Sequence, residues 1–138
     1  MKIVKEIKNV IPAFKKYPKV KLAYLFGSQA TGNVSPLSDY DFAVYLDEKD
    51  YLKRFELRLK LMADISLKIK TDKVDLCVLN DIDGPELKYN IIKDGILLLE
   101  KEHFKVLVEP KIMNEYFDFR YSLIKFKLSK AYDHIRDY

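Results

Sequence analysis

The chain has 138 residues, 49% hydrophobic and 33% charged, the size and balance of one domain with a real core and too short for two. No apolar run approaches the roughly 20 residues of a membrane span. The single cysteine, Cys77, excludes an internal disulfide and a multi-cysteine zinc site, so any metal is expected on oxygen ligands. The formal charge of +4 and pI of about 9.0 come from scattered lysines, with one modest cluster from Lys15 to Lys21, so direct nucleic-acid binding is permitted but not indicated.

At the start, MKIVKEIKNVIPAF places Glu6 and Lys8 where a signal peptide needs an apolar centre, which points to the cytoplasm. Ile3, Ile7, Val10, Ile11 and Phe14 recur at helical spacing, with Pro18 as the stop. VKLAYLF (Val20 to Phe26) and YDFAVYL (Tyr40 to Leu46) read as neighbouring strands, the first ending at Gly27. Leu52, Phe55, Leu59, Met62 and Ile69 mark a long helix from Tyr51 to about Lys70. KVDLCVLN (Lys73 to Asn80) returns as a short buried strand. A helix over about Glu86 to Asp94 ends at Gly95, and ILLLE follows as a further strand. After Pro110 a last helix is expected over 111–138. Its stripe of Met113, Phe117, Ile124, Leu128, Ala131 and Ile135 reads as core, and Tyr116, Phe119 and Phe126 are divided between core and partner surface. The predicted class is α+β, a small mixed sheet covered by helices, as a single domain over 1–138.

The second strand opens on Asp39 and Asp41. Side chains at i and i+2 of a strand share a face, about 7 Å apart along the backbone, so both carboxylates can reach the same cations. Asp75 alternates with Val74 and Leu76, which commits it to the face opposite theirs. If the two strands are neighbours, three acids converge, a hard-oxygen set that suits Mg²⁺ or Mn²⁺ over zinc. Gly27 lets backbone amides approach a ligand, and Ser28 begins SQATG, able to open a helical turn and hold phosphate. Phosphate at the turn and metal at the acids together describe a nucleoside triphosphate site.

A Gly-Ser pair followed after ten residues by Asp-x-Asp arises by chance in a chain this size roughly once in a thousand. With that motif and a third acid on a later strand, the chain resembles the minimal nucleotidyltransferases of the DNA polymerase β superfamily. VDLCVLN, IIKDGILLLE and FRYSLIKFKLSKAYD extend the likeness over most of the chain, to the antitoxin members that pair with HEPN-type ribonuclease toxins. The resemblance implies a palm-like nucleotidyltransferase fold with a long terminal helix. Asp39, Asp41 and Asp75 become catalytic residues and ligands of two Mg²⁺ ions, and Gly27, Ser28 and Ser38 become nucleotide-binding residues. ATP is the implied substrate, AMP the transferred group and a tyrosine of the toxin the acceptor, within a hetero-oligomer that the terminal helix helps to hold. Family members often carry a basic residue before the second glycine of G-S-x-A-x-G; here it is Thr31, which leaves triphosphate anchoring to backbone amides and a lysine elsewhere.

Plainer readings stand beside these. Ser-Asp is common turn chemistry, and Asp75 can pair with a lysine at a sheet edge. Cys77 reads as core, His103 and His134 lack metal-ligand spacing, and Tyr89 and Asn80 read first as ordinary helix and strand-end residues rather than walls for a base. Two rival functions remain: transfer to a small aminoglycoside-like hydroxyl compound, and an antitoxin that acts by binding alone.

Overall fold

The computed structural model describes residues 5–32 and 39–136. Strands β1 (Val20–Phe26), β2 (Tyr40–Leu46), β3 (Val74–Val78) and β4 (Ile96–Glu100) form one sheet in the order β3-β2-β1-β4. β1 runs antiparallel to both β2 and β4, whereas β2 and β3 are parallel. A parallel neighbour needs a long crossover. Helix α3 (Tyr51–Ile69) supplies it. The remaining helices are α1 (Lys5–Lys16), α2 (Ser28–Thr31), α4 (Pro85–Asp94) and α5 (Phe104–Arg136).

Alternation along the strands sends side chains to two cores. On one face Phe42, Val44, Leu46 and Leu76 pack with Ile7, Val10 and Phe14 of α1 and Leu61 and Ile65 of α3, all buried. On the other, Leu22, Tyr24 and Ala43 meet Ile91 of α4 and Val108 and Ile112 of α5. At about 1.5–3 kcal/mol for each large apolar side chain buried, these two layers are the main source of stability. Helix α3 starts where the Asp50 carboxylate accepts from Leu52 N–H at 2.9 Å. Tyr24, buried in the second layer, donates its hydroxyl to Glu109 Oε2 at 2.5 Å and so ties α5 to the sheet.

Three expectations change. The third strand stops at Val78, because Leu79–Asp81 form a 3-10 turn in which the Asn80 amide donates to Leu46 O at 2.8 Å and accepts from Leu46 N–H at 3.0 Å. The last helix begins at Phe104, not after Pro110, and runs through the proline. A proline inside a helix costs about 3 kcal/mol. Burial of Val108 and Ile112 on either side of it offsets that by roughly 1.5–3 kcal/mol each. Pro12 inside α1 is tolerated likewise, between buried Val10 and Phe14.

The third change concerns the terminal stripe, which beyond half-buried Met113 is not core over its described members, the Ile135 side chain lying outside them. Phe117 is 54%, Ile124 51% and Leu128 66% exposed, and Ala131 is exposed as well, because α5 runs on past the sheet it packs against. Of the outer set, Tyr116 stacks on Tyr89 with ring centroids 3.9 Å apart, Phe119 is half-buried and Phe126 is exposed. Tyr89 and Asn80 therefore have the ordinary structural roles expected of them.

Candidate active site

The strand register aligns the sequence's candidate residues. Phe26 is opposite Asp41, and Asp41 is opposite Asp75, so Phe26, Asp41 and Asp75 form a row across β1, β2 and β3, and Gly27, one residue past the end of β1, abuts it at Asp41. At about 4.8 Å between strands, the row spans on the order of 10 Å. Buried Val74, Leu76 and Val78 alternate with exposed Asp75 and half-buried Cys77, which puts Asp75 on the face that the pattern required. Asp39 is exposed and lies just before the first residue of β2, so the i, i+2 pair straddles the start of the strand rather than lying within it. Tyr40 N–H donates to Lys73 O at 2.9 Å and holds that start against β3.

Gly27 has φ of +73°, a conformation that L side chains rarely adopt, and a Cβ there would lie 2.5 Å from Asp41 Oδ2. The carboxylate therefore sits against bare backbone. The turn that follows is α2, in which Ala30 N–H and Thr31 N–H both donate to Gly27 O and Gly32 closes the turn at φ of +86°. Buried Ala30 anchors it to the core, and half-buried Ser28 begins it. Thr31 is exposed, its hydroxyl donating back to Gly27 O at 3.4 Å. Ser38 lies outside the described residues.

Negative charge is crowded here. The Asp41 carboxyl is pushed above its ordinary range by burial first, then by Asp75 and by Asp39, so it feels both of the other acids. Cys77 is pushed up to about 12 by burial and by the same two strand carboxylates, which makes it an inert thiol. Hard oxygen donors with unrelieved repulsion fit a divalent cation such as Mg²⁺. Among the described residues, however, no three acidic, histidine or cysteine side chains are grouped so that together they could hold a metal ion, so the expected convergence of Asp39, Asp41 and Asp75 on one ion is not formed here. Asp75, 64% exposed, leans instead toward Arg58, whose Nη2 is 3.7 Å from Asp75 Oδ1. Arg58 also donates from Nε to Leu76 O at 2.6 Å. Arg58 is not legible in the sequence, since one more charge on the polar face of a helix carries no signal of its own.

A glycine-bounded turn and facing carboxylates at one end of a small mixed sheet define a nucleotidyl-transferring class of protein. The chain belongs to the polymerase β nucleotidyltransferase family: residues 8–104 match the family described as "Polymerase beta, Nucleotidyltransferase". It is 36% identical over 92 residues to the protein adenylyltransferase MntA of Aphanizomenon flos-aquae, a match that covers 62% of this chain and 61% of that relative, less than two thirds of the relative's length. It is 38% identical over 100 residues to a Methanocaldococcus jannaschii protein named provisionally as a protein adenylyltransferase, covering 70% of this chain and 98% of the relative. A crystal structure of a toxin-antitoxin with AMP-PNP is similar at a TM-score of 0.68 and 25% identity, over 91% of this chain and 99% of that one.

Proposed function

We propose that this protein is a Mg²⁺-dependent protein adenylyltransferase that acts as an antitoxin, moving AMP from ATP to a tyrosine hydroxyl of a HEPN-type ribonuclease toxin held in a hetero-oligomer. The observation that carries the proposal is the pairing of Asp41 with Asp75 on adjacent strands, with the bare backbone of Gly27 against the Asp41 carboxylate. The relatives named as adenylyltransferases and the structural likeness to a toxin-antitoxin with AMP-PNP support it. In this reading Gly27 and Ser28, with Ser38, receive the triphosphate, because the leading amides of a helical turn suit phosphate oxygens. Asp39, Asp41 and Asp75 are the residues that would hold divalent cations. When bound, the ions (Mg²⁺, or Mn²⁺ in its place) supply positive charge to the triphosphate and to the attacking oxygen.

The reaction forms a bond from the tyrosine oxygen to the α-phosphorus and breaks the bond to pyrophosphate, which leaves with the electron pair. Asp75 takes the hydroxyl proton and passes it to water. Helix α5 is the proposed toxin-binding element. Its exposed Phe117, Tyr121, Ile124 and Leu128 are spaced by four, three and four residues, the spacing of a helix-pairing seam. Arg120, Lys125, Lys127 and Lys130 against Asp118 and Asp133 suit a partner helix with acidic flanks. The reading implies a cytoplasmic protein, where ATP is replenished.

Incubation of the purified protein with α-labelled ATP, Mg²⁺ and the product of the neighbouring gene tests this. Label is expected on a tyrosine of that product and is expected to vanish in the Asp39→Asn/Asp41→Asn double variant. Label that survives the double variant overturns the site. Protection from the toxin by that variant at equal binding selects neutralisation by binding alone, and turnover without a protein partner selects a small-molecule acceptor.

A further inference from the structure

One cleft next to these acids has no assigned role. It lies at the outer edge of β3, with a volume of about 300 Å³, between Tyr51, Phe55 and Arg58 of α3 and Asp75, Cys77 and Ile82. β3 is the last strand on its side of the sheet, so the cleft opens outward beyond Asp75. Spacings of four and three residues place Tyr51, Phe55 and Arg58 on one face of α3. The two rings are 57% and 43% exposed, whereas Leu61 and Ile65 of the same helix are buried, so they are not spent on the core. Arg58 is pinned at the floor by its bond to Leu76 O, with its guanidinium beside Asp75.

We infer that this cleft receives the ring of the acceptor tyrosine and that Tyr51 and Phe55 are acceptor-binding residues. The inference rests on the proposed AMP transfer and adds the direction from which the acceptor comes. In-line displacement puts the attacking oxygen and the departing pyrophosphate on opposite sides of the α-phosphorus. With the triphosphate at the Gly27–Ser28 turn on β1, pyrophosphate leaves on the β1 side of the row and the hydroxyl enters on the β3 side. The cleft is on that side, next to Asp75. Its volume is at the bottom of the range of about 300–1,000 Å³ for small-molecule pockets, which suits one side chain better than a whole nucleotide or aminoglycoside. Aromatic walls stack on a phenol ring, and a guanidinium lies well over such a ring's face.

The test uses the full chain in a preformed complex with its toxin, at saturating ATP and Mg²⁺. Phe55→Ala and Tyr51→Ala should each slow AMP transfer roughly tenfold, the usual scale for losing an aromatic anchor. The ATP concentration for half-maximal rate should stay within about twofold, since neither ring touches the nucleotide in this arrangement. Tyr51→Phe, which keeps the ring, should retain the rate. As a second measurement, a benzophenone side chain placed at position 55 should crosslink to the toxin peptide that carries the labelled tyrosine. An unchanged transfer rate in both alanine variants overturns the cleft alone, as does a crosslink to any other peptide. A raised half-saturating ATP concentration also overturns it, by giving the cleft to the nucleotide. Absence of transfer by the unaltered protein overturns the proposed function, and the cleft with it.

Discussion

Gly27 shows how little room the site leaves for change. With φ of +73° and a phantom Cβ 2.5 Å from the Asp41 carboxylate, Gly27→Ala strains the backbone and displaces the acid at once. We expect the variant to fold and to lose more than about tenfold in kcat/KM, since misplacing a reacting group by an ångström costs that or more. Asp41 makes a prediction of opposite sign for stability. Its folded-state carboxyl is raised, by burial and then by Asp75 and Asp39, so the folded chain still holds a proton at pH values where the unfolded chain has released it. Stability is therefore lost as pH rises through the folded value, and the deficit is fully present at neutral pH. In metal-free protein Asp41→Asn should raise the melting temperature at pH 7 and not below the ordinary carboxylate range, while abolishing transfer. A lower melting temperature at pH 7 would contradict the crowding. At Thr31, exposed on the same turn, Thr31→Arg should lower the KM for ATP by roughly two- to tenfold, the worth of one charge-assisted contact at a partly exposed site. An unchanged or raised KM would move the phosphates away from α2.

Among the elements, α5 departs most from what periodicity suggests. Its apolar stripe has helical spacing, and the same spacing serves a core face or a partner face equally, so only the extent of the sheet beneath decides between them. The sheet supports Val108 and Ile112, and the stripe from Phe117 to Leu128 stays exposed. Ile124→Glu and Leu128→Glu should leave the melting temperature within about 1 °C, as exposed substitutions do, yet weaken toxin binding by tenfold or more as measured by calorimetry. Unaltered affinity would place the interface elsewhere. Pro110 was misleading for a related reason, whereas the first helix was expected to run through Pro12, as it does. Both prolines obey a local rule that ends helices, and both are overruled by buried neighbours.

At the scale of the whole molecule the site is a product of topology. Asp41 and Asp75 are brought together by the parallel pairing of β2 and β3 across α3. The acids, the Gly-Ser turn and the strand alternation were legible because each is written in adjacent residues. Arg58 was not, because the backbone oxygen that holds it, Leu76 O, is 18 residues away. A ligand that needs the assembled row binds only the folded chain. Mg²⁺ with a non-hydrolysable ATP analogue at a hundred times its Kd should therefore add about 2.7 kcal/mol, read as a rise in melting temperature of several degrees. The Asp39→Asn/Asp41→Asn chain should show no such rise, and a full rise there would place the nucleotide elsewhere.

The position of Asp75 on the outermost strand has one more effect. With 64% of its side chain exposed, solvent reaches the attacking side of the reaction as freely as an acceptor does. In the proposed reaction a lone chain would be unshielded there against wasteful hydrolysis of ATP, and an acceptor protein seated on that side would supply the wall that keeps the chemistry dry.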